Sequence, residues 1–223
     1  MSETAPFRDL GGLSAVLKGS LAVFMAVAAI SLWSGWLEIG LLQRAADGIV
    51  VTEDEAVAND SRQALLGGLY FLVFLVTGVV FLRWILLTNR NARALGATGM
   101  EFTPGWAVGW YFVPVATLWK PYQAMKEIFK ASHPDHLGDW KEASYPSILP
   151  LWWLLWIVAG FLGQAILRTT LQAETLEQII ASSWITFASD ALDLPLGLVA
   201  ITLVTNLQTW QSEKHSRLAA AAT

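Results

Sequence analysis

The sequence has no cysteine, only three histidines and few charged residues. Without cysteine the chain can form no disulfide, no thiolate metal site and no cysteine nucleophile. Charged residues make up 14% of the chain, against about a quarter in soluble domains. That is too little polar surface to cover a water-soluble globule of this size. The net charge of −4 also disfavours nucleic acid as a partner.

Hydrophobic residues make up 55% of the chain and fall into long runs. The clearest uncharged runs are 19–37, 64–82 and 143–167. A helix needs about 20 residues to cross a hydrocarbon core of about 30 Å, and each run is about long enough. The first run is too long for the core of a signal peptide, so we expect it to be retained as a span.

A fourth run, 184–206, contains Asp190, Asp193 and Pro195. One interpretation is a single kinked helix with both carboxylates one turn apart on one face. The other is a new helix capped by Asp193, with Pro195 in its first turn. Both place the carboxylates near the outer leaflet. The predicted spans are about 17–42, 64–87, 146–168 and 184–208.

The stretch 102–119 is also uncharged, and the distribution of Lys and Arg decides how it is interpreted. With four spans and a cytoplasmic N-terminus, eleven basic residues lie inside and three outside. A fifth span at 102–119 would change this to six inside and eight outside. The positive-inside rule therefore predicts four spans with both termini in the cytoplasm.

Prolines and aromatic residues give 102–131 an unusual character. Gly96 is typical of a helix stop, and Pro104 of the first turn of a new helix that Pro114 and Pro121 interrupt. After Pro121, apolar residues alternate with lysines, as in an amphipathic helix on a cytoplasmic leaflet. We therefore predict an all-α membrane protein, one domain over 1–223, with four transmembrane helices and a re-entrant or interfacial segment at 104–131 on the cytoplasmic side.

The stretch NARALGATGMEFTPGWAVGWYFVPVATLWKPYQAMKEIFKAS resembles the signature of a bacterial membrane family, domain of unknown function 4328. The resemblance is specific over about 89–132, and it implies a multi-pass protein of the bacterial inner membrane without assigning an activity. The candidate functional motif that it marks consists of Pro104, Gly105, Trp106, Gly109, Trp110, Pro114, Pro121, Tyr122, Gln123 and Glu127.

Asp190 and Asp193 are the candidate intramembrane carboxylates. A charged side chain at mid-helix costs roughly 3 kcal/mol on insertion scales, and it usually faces a cavity or a partner. The functional interpretation is a proton or cation site. The alternative is a hydrated pair at the outer interface that caps a helix.

Basic residues beside the second span and the broken segment are candidates for binding anionic lipid headgroups. They are Arg90, Arg93, Lys120 and Lys126. Ordinary anchoring by the positive-inside rule explains the same residues.

A cytoplasmic loop contains His133, Asp135, His136 and Asp139, whose side chains are legitimate metal ligands. Pro134 and the loop setting remove the helical spacing that would bring them together. We therefore expect a solvated turn and predict neither a metal nor a cofactor.

No catalytic motif is present, which disfavours an enzyme. One functional hypothesis is a structural or interaction protein that contacts lipid, another membrane protein or a second copy through 104–131. The other is a small transporter or channel subunit that uses the broken segment 104–121 with Asp190 and Asp193.

Overall fold

The computed structural model describes residues 6–221. Across these residues every regular element is helical, and no strand is present. The α-helices are α1 (Gly11–Ala46), α2 (Glu53–Ala94), α3 (Pro104–Gly109), α4 (Lys120–Ala131), α5 (Leu149–Gln172) and α6 (Leu176–Ala221). Short 3₁₀ turns at Trp110–Phe112 and Ala116–Leu118 lie between α3 and α4.

Four of these helices, α1, α2, α5 and α6, are long and apolar enough to cross a membrane. Their number and order confirm the predicted four spans. Each helix extends beyond its predicted span at one or both ends, because polar residues continue the helix past the apolar run. The chain is therefore an all-helical, multi-pass membrane protein.

The ends of α2 follow local sequence signals. Thr52 and Glu55 form a capping box, in which the Glu55 carboxylate accepts from the Thr52 backbone N–H at 2.9 Å and the Thr52 hydroxyl accepts from the Glu55 N–H at 3.3 Å. At the other end α2 stops at Ala94. Gly96 follows with φ of +91°, a conformation that side chains disfavour, which confirms the predicted stop.

Helix α6 runs without interruption through Pro195. The alternative in which a new helix begins at Asp193 is therefore wrong. Asp190 and Asp193 lie inside a continuous helix, one turn apart, and both are buried. Because α6 is continuous, the pair does not cap a helix.

The segment between α2 and α4 is broken as the prolines predict, with one difference. Thr103 caps α3, its hydroxyl accepting from the Trp106 N–H at 3.3 Å, and Pro104 begins the helix. Pro114 lies between the two 3₁₀ turns, next to Val115 with φ of +65°. Pro121, expected to interrupt a helix, instead stands in the first turn of α4, where its missing N–H costs nothing.

The described chain forms two compact units. The first unit combines 6–19, 77–153 and 199–221, and the second combines 20–76 and 154–198. The single-domain prediction stays a prediction. The core of the first unit includes Trp84, Ile85, Met125, Ile128, Phe129, Leu149, Val204 and Leu207. The apolar face of α4 belongs to this core. The prediction that 104–131 is a re-entrant or interfacial segment stays a prediction.

Candidate functional site

The second unit contains a cavity of about 540 Å³. Each of α1, α2, α5 and α6 contributes residues spaced three or four apart, which is one face of a helix. The lining residues are Ser31, Gly35, Glu38, Gln63, Leu66, Gly67, Tyr70, Ile166, Thr170, Ala173, Ile179, Ser182, Ser183, Thr186, Ser189 and Asp190. The lining of this cavity thus combines hydroxyl, amide and carboxyl groups with apolar side chains.

The acidic groups that line the cavity, Glu38 and Asp190, and the neighbouring Asp193 differ in their partners. The Gln63 amide donates to the Glu38 carboxylate at 3.0 Å. The Tyr70 hydroxyl donates to the Asp193 carboxylate at 2.6 Å. No hydrogen bond or ion pair within the described residues reaches the side chain of Asp190, which is 93% buried and lines the cavity. The fold therefore brings the predicted carboxylate pair together with Gln63 and Tyr70 from α2 and with Glu38 from α1.

Hydroxyl groups on α6 form a ladder that extends the carboxylate pair along the same helix face. Thr169 and Thr170 of α5 lie 3.0 Å and 3.2 Å from the Ser182 hydroxyl. Ser183 and Thr186 donate to backbone carbonyls one turn earlier, at 3.1 Å and 3.0 Å. Such back-bonds keep a hydroxyl on a helix surface while its lone pairs remain open to a further donor.

The first unit buries polar groups in a closed network. Gln211 donates to the Thr88 carbonyl and to the Ser132 hydroxyl, each at 2.9 Å. Asn91 donates to Gln211 at 3.2 Å, and it exchanges two hydrogen bonds with the backbone of Arg8. These contacts join the N-terminal segment, α2, the end of α4 and α6.

Lys214 is almost completely buried, and its ammonium group donates to the carbonyls of Ala131 and His136 at 2.9 Å and 2.7 Å. The carbonyl of Ala131 is at the C-terminal end of α4, where a positive charge is favourable. Lys214 therefore holds the loop after α4 against α6.

Glu127 fixes the start of the broken segment. Its two carboxylate oxygens accept from the backbone N–H groups of Glu101 and Phe102 at 2.6 Å and 3.0 Å. Burial raises the pKa of the Glu127 carboxyl, against the lowering effect of these two hydrogen bonds. Arg93 completes the junction by donating to the Phe102 carbonyl at 2.9 Å and to Asn89 at 3.2 Å.

The other motif residues divide into a buried side and an exposed side. Pro121 is buried, Tyr122 packs near Trp153 at 6.1 Å between ring centroids, and Glu127 has the role described above. The rings of Trp106 and Trp110 lie 4.8 Å apart, and Gly109 fits against Trp106, where a Cβ would approach the ring to 3.2 Å. The exposed members are Gly105, Trp106, Pro114 and Gln123, and Pro104 is half-buried.

The four predicted headgroup-binding residues have different surroundings. The guanidinium group of Arg93 donates to the Phe102 carbonyl. Lys120 pairs with Glu101 at 3.2 Å and lies 5.8 Å from the Trp110 ring centroid, while Lys126 lies over the Tyr145 ring at 4.8 Å. Arg90 is exposed.

The histidine-rich loop folds as a turn. Nδ1 of His133 accepts from the Asp135 N–H at 3.2 Å, and His136 lies 3.2 Å from the Asp139 carbonyl. Asp135 pairs with Arg217 at 2.6 Å. Within the described part of the chain, no group of three His, Asp or Glu side chains is arranged to hold a metal ion.

The sequence profile of the family described as Domain of unknown function (DUF4328) matches residues 47–209. The chain belongs to this family. The match contains the whole stretch 89–132 that carries the resemblance, together with α3, α4 and α5. No curated protein and no solved structure matches the chain.

Most of the cavity lies within the region that the DUF4328 profile covers. The exceptions are its α1 residues Ser31, Gly35 and Glu38. In the first unit, Glu127 and Asn91 lie within the match, whereas Gln211 and Lys214 lie beyond it. Both the cavity and the scaffold of the broken segment thus belong mainly to the family domain.

Sequence reasoning found Asp190 and Asp193 but missed Glu38, Gln63, Tyr70 and the hydroxyl ladder. The spacing Ser182-Ser183, Thr186, Ser189-Asp190, Asp193 is a polar stripe at helical period inside a predicted span. That stripe was the available signal for a cavity-facing surface. Glu38 had no such signal, because it lies at the edge of an apolar run where charged residues are ordinary.

Proposed function

We propose that this protein is a structural or interaction protein of the bacterial inner membrane, with both termini cytoplasmic, whose working surface is the exposed side of 104–119. The observation that carries the proposal is a group of large apolar side chains left exposed on α3, the two 3₁₀ turns and the residues beside them: Trp106, Phe112, Val115, Leu118 and Trp119. An exposed apolar patch of this kind marks a lipid or protein contact.

The scaffold beneath this patch supports the same function. Glu127 and Arg93 hold the backbone at 101–102, and α4 anchors the other end of the patch through its buried face. Tryptophan favours the headgroup level of a bilayer, and Lys120 stands directly after Trp119. We therefore infer that 104–119 lies at the membrane interface, and that Lys120 and the exposed Arg90 meet anionic headgroups.

Spin labels at single cysteines test this proposal, because the chain has no native cysteine. Labels at Phe112→Cys and Trp119→Cys should collide more often with oxygen, which partitions into lipid, than with a water-soluble nickel chelate. A label at the exposed Glu142→Cys, in the loop before α5, serves as the aqueous control. The proposal fails if the labels at 112 and 119 are as accessible to the chelate as the label at 142.

The cavity favours a second candidate, a small transporter or channel subunit. A polar cavity within helices that are long enough to cross a membrane is a typical substrate site, and Asp190 and Asp193 are buried beside it. The cavity lining includes no residue of 104–121, so this candidate rests on the second unit. Cation or proton flux into liposomes should fall in Asp190→Asn and Asp193→Asn, and unchanged flux in both would reject it.

A further inference from the structure

No basic side chain among the described residues of the cavity lining neutralises its carboxylates. The lining contains two carboxylates, Glu38 and Asp190, and no Lys, Arg or His among the described residues. Arg62 lies near enough to attract Glu38, but its own hydrogen bonds go to Ser34 and Asn59, at 2.8 Å and 2.6 Å. The local charge balance therefore favours an occupant with a positive charge.

Asp190 is the carboxylate with which a cation would pair most favourably. Its side chain is 93% buried, it lines the cavity, and nothing in residues 6–221 donates a hydrogen bond to it. One turn away, Asp193 receives the Tyr70 hydroxyl at 2.6 Å. A buried carboxylate without a donor is costly, and a bound cation offsets that cost by pairing with it.

The size and composition of the cavity indicate what kind of cation fits. A volume of about 540 Å³ far exceeds a bare ion and lies in the range of small-molecule sites. No three His, Asp or Glu side chains of the described chain are grouped to ligate a metal. Hydroxyl oxygens of Ser and Thr on α6 accept hydrogen bonds from N–H donors, while Leu66, Ile166 and Ile179 supply apolar wall.

We propose that this cavity binds a small organic monocation, a protonated amine or a guanidinium with a short apolar chain. The charged head pairs with Asp190 and donates to the hydroxyls of α6, and the chain lies against Leu66, Ile166 and Ile179. This inference is independent of the lipid-contact proposal. It specifies the ligand class of the transporter candidate, but binding does not require that transport occurs.

Calorimetric titration of the full chain in nanodiscs tests the proposal. The probes are n-butylammonium and n-butylguanidinium, with n-butanol as the neutral analogue, butanoate as the anion, and sodium chloride as the inorganic cation. We expect saturable binding of at least one organic cation and none of the three comparison solutes. Asp190→Asn should weaken that binding roughly tenfold or more, because it removes the charge but keeps the shape.

Glu177→Gln is the matched charge control. It makes the same change on the same helix, but Glu177 is exposed and does not line the cavity. Affinity for the organic cation should be unchanged in this variant. An equal loss in both variants would show that net charge alone attracts the cation, and this would overturn the site.

A steric pair of variants keeps the test decisive if Asp190→Asn does not fold. Gly67 lines the cavity and its neighbour Gly68 does not, and a Cβ added at either position meets no atom within 4 Å. Gly67→Leu should therefore fill part of the cavity and weaken binding, while Gly68→Leu, which makes the same change in helix propensity, should bind as wild type.

Four results would overturn the proposal: no heat from either organic cation, equal binding of sodium or n-butanol, an equal loss of affinity in Asp190→Asn and Glu177→Gln, or binding unaffected by Gly67→Leu. The transporter candidate fails separately, when liposome flux is absent although the organic cation binds. The lipid-contact proposal is judged only by the spin labels at 112 and 119.

Discussion

The two units bury polar side chains in different ways. In the first unit Gln211 and Asn91 bond to one another and to neighbouring backbone, and Lys214 donates to two carbonyls. In the second unit Asp190 is buried to a similar degree, yet it faces a cavity and has no donor within the described residues. Burial alone therefore does not separate polar side chains whose hydrogen bonds are satisfied from those whose hydrogen bonds are not.

The difference lies in whether the polar groups are satisfied. A closed network strengthens a fold, because each donor and acceptor exchanges water for a fixed partner. An open carboxylate in a cavity weakens the fold until a ligand supplies its partner. The first unit thus supports 101–131, and the proposed organic-cation site lies in the second unit. Substitution of a satisfied polar group and substitution of the unpartnered Asp190 should then have opposite signs.

The largest effect is expected for Gln211→Ala. The substitution removes three hydrogen bonds, which join Gln211 to the Thr88 carbonyl, the Ser132 hydroxyl and the Asn91 amide, and it opens a cavity in the core. We expect a loss of about 3–5 kcal/mol in the free energy of unfolding, measured by denaturant titration in detergent micelles. The control is Gln123→Ala on the exposed side of α4, for which the change should stay within about 0.5 kcal/mol. Equal losses in both variants would show that the hydrogen-bond network of Gln211 does not stabilise the first unit.

The next effect concerns Glu127→Ala. Without the carboxylate, the N–H groups of Glu101 and Phe102 lose their acceptor, at a cost of about 2–3 kcal/mol to the local structure. Hydrogen exchange at these two amides should accelerate by roughly tenfold to a hundredfold, while exchange within α6 stays unchanged. Glu142→Ala, an exposed acid of the same unit, should leave both amides as they are. Slow exchange at 101 and 102 in Glu127→Ala would show that another contact holds the junction.

The opposite sign is expected for Asp190 in the second unit. Asp190→Asn replaces an unpartnered carboxylate with a neutral group of the same shape, so the ligand-free protein should gain about 1 kcal/mol. Tyr70→Phe should instead lose about 1.5 kcal/mol, because Asp193 then has no donor from Tyr70. Thermal unfolding in detergent without added amine compares the two. A destabilised Asp190→Asn would mean that its carboxylate already has a partner, which contradicts the open site.

Much of the fold was predictable because its determinants are local. Runs of apolar residues defined four helices, Gly96 defined the end of α2, and Pro104 with Thr103 defined the start of α3. The continuity of α6 through Pro195 was not decided by the sequence. A helix that is packed on both sides of a proline can continue despite the missing hydrogen bond. Local helix propensity carries no information about that packing.

The sites were predicted less completely, because partners come from distant parts of the chain. Asp193 was identified from its cost in an apolar run, but its donor Tyr70 lies 123 residues away on α2. The lysine-rich pattern correctly predicted that α4 is amphipathic, but it did not predict that its apolar face packs in the protein core. An apolar face has the same period whether protein or lipid covers it, so only the three-dimensional packing of the first unit distinguishes the two.

The smallest effect is a pH dependence of the first unit. Burial, and secondarily the neighbouring His136, lowers the pKa of His133, whose ring packs against Trp210 and is near Asp135, Lys214 and Arg217. Between that lowered pKa and the ordinary value of 6.5, the unfolded chain binds more protons than the folded chain, so stability rises with pH through this window.

The melting temperature should therefore be slightly lower at about pH 5 than at about pH 7.5, and His133→Asn should flatten that difference. The comparison uses the change between the two pH values within each protein, because the substitution also alters the contact with Trp210. If the pH dependence of the melting temperature is undiminished in His133→Asn, other titrating groups cause it. The closed character of the first unit would then rest on Gln211, Lys214 and Glu127, whose buried partners do not involve this ring.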